Sequence, residues 1–168
     1  REIDRRTIDF LLSLPVRRSE VLLARAAVML VNTGLITAAM ALTFRIGFSS
    51  QGLEGNWGAY NLIFLNVWLL AAALGGSALL VSLWIDDYGL GVKAMLGLVS
   101  VGYFLEFVFR AVEMSRTARL LSPFSYVDAN TILKNGSLPL LDTLVLVGVA
   151  VVTIGLSLPF FERKQITT

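Results

Sequence analysis

Glu106 and Arg110 stand four residues apart in the string Glu106-Phe107-Val108-Phe109-Arg110, within an otherwise apolar stretch. Residues at i and i+4 meet on one side of a helix, so this carboxylate and guanidinium can pair. Tyr103 lies one turn earlier and Glu113 one turn later on that side. Two uses fit the pair: a structural ion pair that anchors a helix near a membrane interface, and a polar element of a solute pathway. A charge at mid-bilayer costs at least ~2.5–3.5 kcal/mol on insertion scales, so either use needs a partner for the charge. Asn66, with Asn61, Asn32 and Thr33, supplies further polar groups among apolar neighbours. Such side chains hydrogen-bond across helices or line a path, and Asn66, Tyr103, Glu106 and Arg110 are the candidate pathway residues. The chain has no His and no Cys, which excludes a His-based metal site, a catalytic triad, a thiol nucleophile and a disulfide. A Glu-x3-Arg string also occurs in some intramembrane proteases, but these need His, so an intramembrane enzyme is disfavoured. A net charge of +2 is too small to suggest a nucleic-acid partner.

The elements that must position these groups are membrane spans. The chain is 56% apolar and 15% charged, against about 25% charged in a soluble domain. Residues 55–85 run for 31 positions without Asp, Glu, Lys or Arg, and about 20 apolar residues suffice to cross the hydrocarbon core. The reading is an all-α integral membrane bundle, residues 19–161, with spans at about 20–45, 57–85, 90–110 and 138–161. Ser19 is the expected cap of the first. Ala71, Ala72, Gly75 and Gly76 form two small-xxx-small pairs that allow close helix approach. Asp86-Asp87 reads as a solvated turn. Pro139 is expected in the first turn of the last span, with Asp142 beside it where a carboxylate suits a helix N-terminus.

Four crossings put both ends of the chain on one side. That side carries six Lys/Arg in residues 1–25, plus Lys93, Arg163 and Lys164, against five on the other (Arg45, Arg110, Arg116, Arg119, Lys134). The excess marks the cytoplasm, with residues 162–168 as a cytoplasmic tail. The outer segment 113–137 has Ser122-Pro123 as a helix start and Gly136 as a stop, with Phe124, Val127 and Thr131 on one face. A short helix lying in or dipping into the outer interface and an ordered loop both fit. Residue 1 is Arg, and residues 1–20 match no signal or transit peptide, so the chain is expected to be the C-terminal part of a longer one.

Residues 1–18 read REIDRRTIDFLLSLPVRR. Ile8, Leu11 and Leu12, with Phe10 and Leu14, give a helical apolar face that ends at Pro15. An amphipathic helix lying on anionic headgroups and a docking helix for a soluble partner fit equally. The string Glu2-x4-Thr7-x3-Leu11-Leu12-x-Leu14-Pro15-Val16-x-Arg18, continuing to Leu22-Leu23-Ala24-Arg25, resembles the coupling-helix signature of type-2 ABC exporter permeases. Ser122-Pro123-Phe124-Ser125-Tyr126 is similar to that family's segment before its last span, and Phe161-Glu162-Arg163-Lys164-Gln165-Ile166 to its closing string. Arg6, Ala24-Arg25 and Gln165 depart from the family's Gly, Gly-Lys and Asp.

The resemblance implies a six-span permease, of which the four spans here are the third to sixth. It implies pairing with a second permease copy or a homologous permease, and with cytosolic ATP-binding cassette subunits that hold ATP and Mg. The chain has no Gly-x4-Gly-Lys-Ser/Thr loop, so it is not expected to be an ATPase itself or to bind a cofactor. Thr7, Phe10, Leu11, Leu14 and Pro15 would be the contact with the ATPase subunit, with Glu2, Arg5 and Arg6 as its polar rim. The setting implied is multi-pass in a prokaryotic plasma membrane, in contact with lipid. The competing reading is a secondary transporter or channel subunit driven by an ion gradient, which would favour helices broken at mid-membrane. Only Gly75-Gly76 hints at that.

Overall fold

A computed structural model describes residues 18–53, 55–85, 87–112 and 122–163. Helices dominate these residues. In chain order they are α1 (Arg18–Ser50), α2 (Trp57–Ser82), α3 (Tyr88–Ala111), a 3-10 turn (Pro123–Tyr126), α4 (Ala129–Asn135) and α5 (Leu140–Arg163). Four of them are long and apolar enough to span a membrane. The protein is a membrane-embedded polytopic helical bundle.

The helix ends follow local side-chain chemistry. Asn56 caps α2 by accepting from the Ala59 amide at 3.2 Å. Asp87 caps α3, with one carboxylate oxygen accepting from Gly89 at 2.7 Å and Leu90 at 3.2 Å. Asp87 is exposed and also caps the helix, while Asp86 lies outside the described residues. Helix α1 already begins at Arg18, so Ser19 lies inside it and is not its cap. Pro139 sits just before α5, where its carbonyl accepts from the Thr143 amide at 3.0 Å, and Asp142 falls in the first turn as expected.

Helix α2 is the hub. It runs antiparallel to α1, with Phe44 against Tyr60 at one end and the Trp68 indole donating to the Leu30 carbonyl at 3.2 Å further along. It runs parallel to α5, with Leu70 packed near Leu146 and Trp84 against Phe160. The two adjacent glycines serve two neighbours. A Cβ on Gly75 would collide with the Met29 thioether of α1, and one on Gly76 with Thr153 of α5. One turn of α2 thus lets two helices approach from different sides, while Ala72 and Ala73 stay buried beside it. The apolar residues left over face outward: Leu35, Ile36 and Ile46 of α1, and Leu96, Phe104 and Phe107 of α3, are all more than half exposed. Hydrocarbon is the solvent that makes such a surface stable.

Segment 122–136 differs from a single continuous helix. Val127 is extended (φ −105°, ψ 90°), which separates the 3-10 turn from α4. Asp128 causes the break by accepting from the amides of Asn130 (3.1 Å) and Thr131 (3.2 Å) and from the Thr131 hydroxyl (2.7 Å), which starts a new helix. Helix α4 then ends at Gly136 in the left-handed conformation (φ 64°), its amide bonded to the Ile132 carbonyl at 2.8 Å. Phe124 and Val127 accordingly join the core around Leu70, Ala73 and Leu146, while Thr131 serves the second helix.

Candidate functional site

The 3-10 turn is held deep between spans. Asn66 lies nine positions after Trp57 in α2, and Gly102 nine positions before Ala111 in α3, about 14 Å along each helix. At that depth Asn66 Nδ2 donates to the Tyr126 carbonyl at 3.2 Å. From the other side, Ser122 Oγ donates to the Gly102 carbonyl at 3.0 Å and accepts from the Phe124 amide at 3.2 Å. The turn closes its own bonds from Ser125 and Val127 amides to the Ser122 and Phe124 carbonyls, both at 3.2 Å. Irregular backbone is stable at membrane depth only where protein groups meet its polar atoms, and these bonds meet that demand.

Asn66 and Tyr103 contact this segment, and Glu106 and Arg110 follow Tyr103 along α3. Asn66 is fully buried beneath it. The Tyr103 ring stands edge-on to Phe124, with centroids 5.6 Å apart, while most of its surface stays exposed. Glu106 pairs with Arg110 through Oε1 and Nε at 2.7 Å. The Glu106 side chain is 7% exposed and that of Arg110 45%. The Arg110 charge also reaches Asp128. Burial pushes the Asp128 carboxyl up, but the Thr131 hydroxyl, the Thr131 and Asn130 amides and the Arg110 charge outweigh it, holding the group below the usual carboxylate range. Two buried acceptors, Asn66 Oδ1 and Glu106 Oε2, have no hydrogen-bond partner among the described residues. The result is a polar seam in one half of an apolar bundle, able to accept donors. Among the described residues no group of three or more His, Cys, Asp or Glu is placed to hold a metal ion.

Ala71, Ala72, Gly75 and Gly76 lie further along α2 than Asn66. Glu2, Arg5, Arg6, Thr7, Phe10, Leu11, Leu14 and Pro15, the expected ATPase contact, lie outside the described residues, as does the closing string from Lys164 onward. The structure also contains two features the sequence reading passed over. Phe44, Phe48, Trp57 and Tyr60 form an aromatic clasp at the α1–α2 connection, with the Arg45 guanidinium 5.3 Å from the Trp57 ring centre. Aromatics and Arg at the ends of uncharged stretches are the signal that marks such a membrane-interface belt. Further along the same pair of helices a groove of about 260 Å³ opens, lined by residues including Gly34, Ala38, Asn61 and Trp68. Compared with protein-family models, curated proteins and solved structures, the chain finds no match in any of the three.

Proposed function

We propose that the chain is the transmembrane permease subunit of an ATP-driven ABC exporter, forming the substrate pathway and coupled to separate ATPase subunits. The observation that carries this reading is the string from Glu2 to Arg25, an amphipathic segment ending at Pro15 that leads directly into a span. Support comes from the order of the two later strings and from the basic excess on the side where α1 begins. On this reading, both ends of the chain are cytoplasmic, in a prokaryotic plasma membrane. ATP and Mg sit on the partner, and closure of the ATPase dimer moves the segment around Leu11. The spans then switch access, and the seam of Asn66, Tyr103, Glu106 and Arg110 lies on the outward half of the path. A second permease copy or a homologous permease completes the pathway.

The full-length protein is expected to co-purify with an ATPase subunit, and Leu11→Glu to abolish export and substrate-stimulated ATPase activity while membrane insertion stays normal. Undiminished stimulation in that variant overturns the assignment. One observation favours the ion-gradient alternative, the buried Glu106 with an unpartnered Oε2. Transport in proteoliposomes driven by a proton or sodium gradient without nucleotide would select it.

A further inference from the structure

The groove between α1 and α2 has a charged end. Gly34, Ala38 and Ala41 line it from α1, and Arg45 continues the same helical stripe one turn on. Asn61 and Trp68 line it from α2, and Trp57 precedes Asn61 by one turn on that stripe. Arg45 lies over Trp57, so the cation sits beside the N-terminus of α2, whose helix dipole adds positive potential. Among the described residues no carboxylate pairs with Arg45. Asn61 is exposed within a membrane span, and no described residue hydrogen-bonds to it. An amide one turn inside the interface, with no partner among the described residues, is free to bond a polar group from outside the chain. Reading inward, the order is therefore cation, aromatic ring, amide, then an apolar trough.

That order matches one molecule of the surrounding bilayer. We propose that the α1–α2 groove holds an anionic phospholipid, with its phosphate at Arg45 and the α2 N-terminus, its glycerol ester at Asn61 and one acyl chain along Gly34, Ala38 and Ala41. Charge complementarity at Arg45 selects an anionic headgroup over a zwitterionic one. The site lies on α1 and α2, apart from the polar seam around Glu106, and does not depend on what drives transport.

Native mass spectrometry of the full-length protein tests this, after lipid is stripped in detergent and either phosphatidylglycerol or phosphatidylcholine is added. One phosphatidylglycerol should be retained per chain, about fivefold better than phosphatidylcholine, the size expected for one basic residue near a membrane surface. Arg45→Gln should erase that preference and Arg45→Lys keep it. Ala38→Phe, which fills the groove without touching the charge, should weaken retention of both lipids. Equal retention of the two lipids by the parent, or an unchanged preference in Arg45→Gln, overturns the proposal. So does efficient disulfide cross-linking of two copies through Ala38→Cys, which would show a second chain in the groove.

Discussion

The ion pair of Glu106 and Arg110 is asymmetric. The carboxylate is enclosed while the guanidinium is half in the open. Removing Arg110 would strand a buried charge, whereas removing both charges would not. Arg110→Gln should therefore destabilise by about 1–3 kcal/mol, and adding Glu106→Gln should recover part of the loss. Thermal unfolding of the single and double variants in lipid nanodiscs measures the difference. Retained export by the double variant, at normal expression, would assign the pair to structure; lost export would assign it to the pathway. Asp128 makes a separate prediction. Its carboxyl is lowered in the folded state, so its contribution is complete above the ordinary carboxylate range and disappears as pH falls through the lower folded value. Asp128→Ala should cost about 1 kcal/mol at neutral pH, the usual worth of a helix cap. The gap in melting temperature between parent and variant should close only in strong acid.

Helix contacts explain why two neighbouring glycines should tolerate substitution differently. Gly75 faces the flexible end of Met29, which can swing aside. An alanine there also gains up to about 1 kcal/mol of helix propensity. Gly76 faces Thr153 and the Ala150 carbonyl, 3.3 Å from where a Cβ would stand, and a backbone cannot swing away. Gly75→Ala should be close to neutral and Gly76→Ala destabilising by about 1–3 kcal/mol, again read as melting temperature. The 3-10 turn is a second such case. Ser122 both caps the turn and ties it to α3, so Ser122→Ala should loosen the segment from α3. Faster hydrogen exchange at Phe124 and Ser125, with α1 and α2 unchanged, is the expected signature.

Among the described residues, few side chains are buried within the protein. The most apolar windows of α1 and α3 are each only 6% buried and that of α2 is 28%, so α2 organises the bundle while the others face lipid. Aromatic groups mark both ends: Trp57 and Tyr60, with Arg45 over the Trp57 ring, at one, and Trp84 and Phe160 at the other. Such belts mark the membrane interfaces, and the Lys/Arg count predicts an orientation with both ends of the chain inside. A chain without Cys allows a clean test of that orientation. In intact cells an impermeant maleimide should label Gln51→Cys, whereas Asp87→Cys should react only after permeabilisation. The reverse pattern would place the ends of the chain outside.

The spans could be read from the chain alone. Thirty-one consecutive uncharged residues have few other stable fates, and the Glu106–Arg110 spacing guarantees that the two side chains meet once a helix forms. Local signals also marked where the 122–136 segment starts and stops, because Ser122-Pro123 and Gly136 act on their own backbone. They could not say whether that segment lies on the surface or enters the bundle. That outcome rests on the amide of Asn66, sixty residues away in sequence. Nor could spacing reveal that Gly75 and Gly76 serve different helices, or that Gly34 and Trp68 meet beside a groove. Such features depend on which helices become neighbours. In a bilayer, where hydrocarbon covers any apolar face equally well, the fit of small residues and polar partners chooses the neighbours.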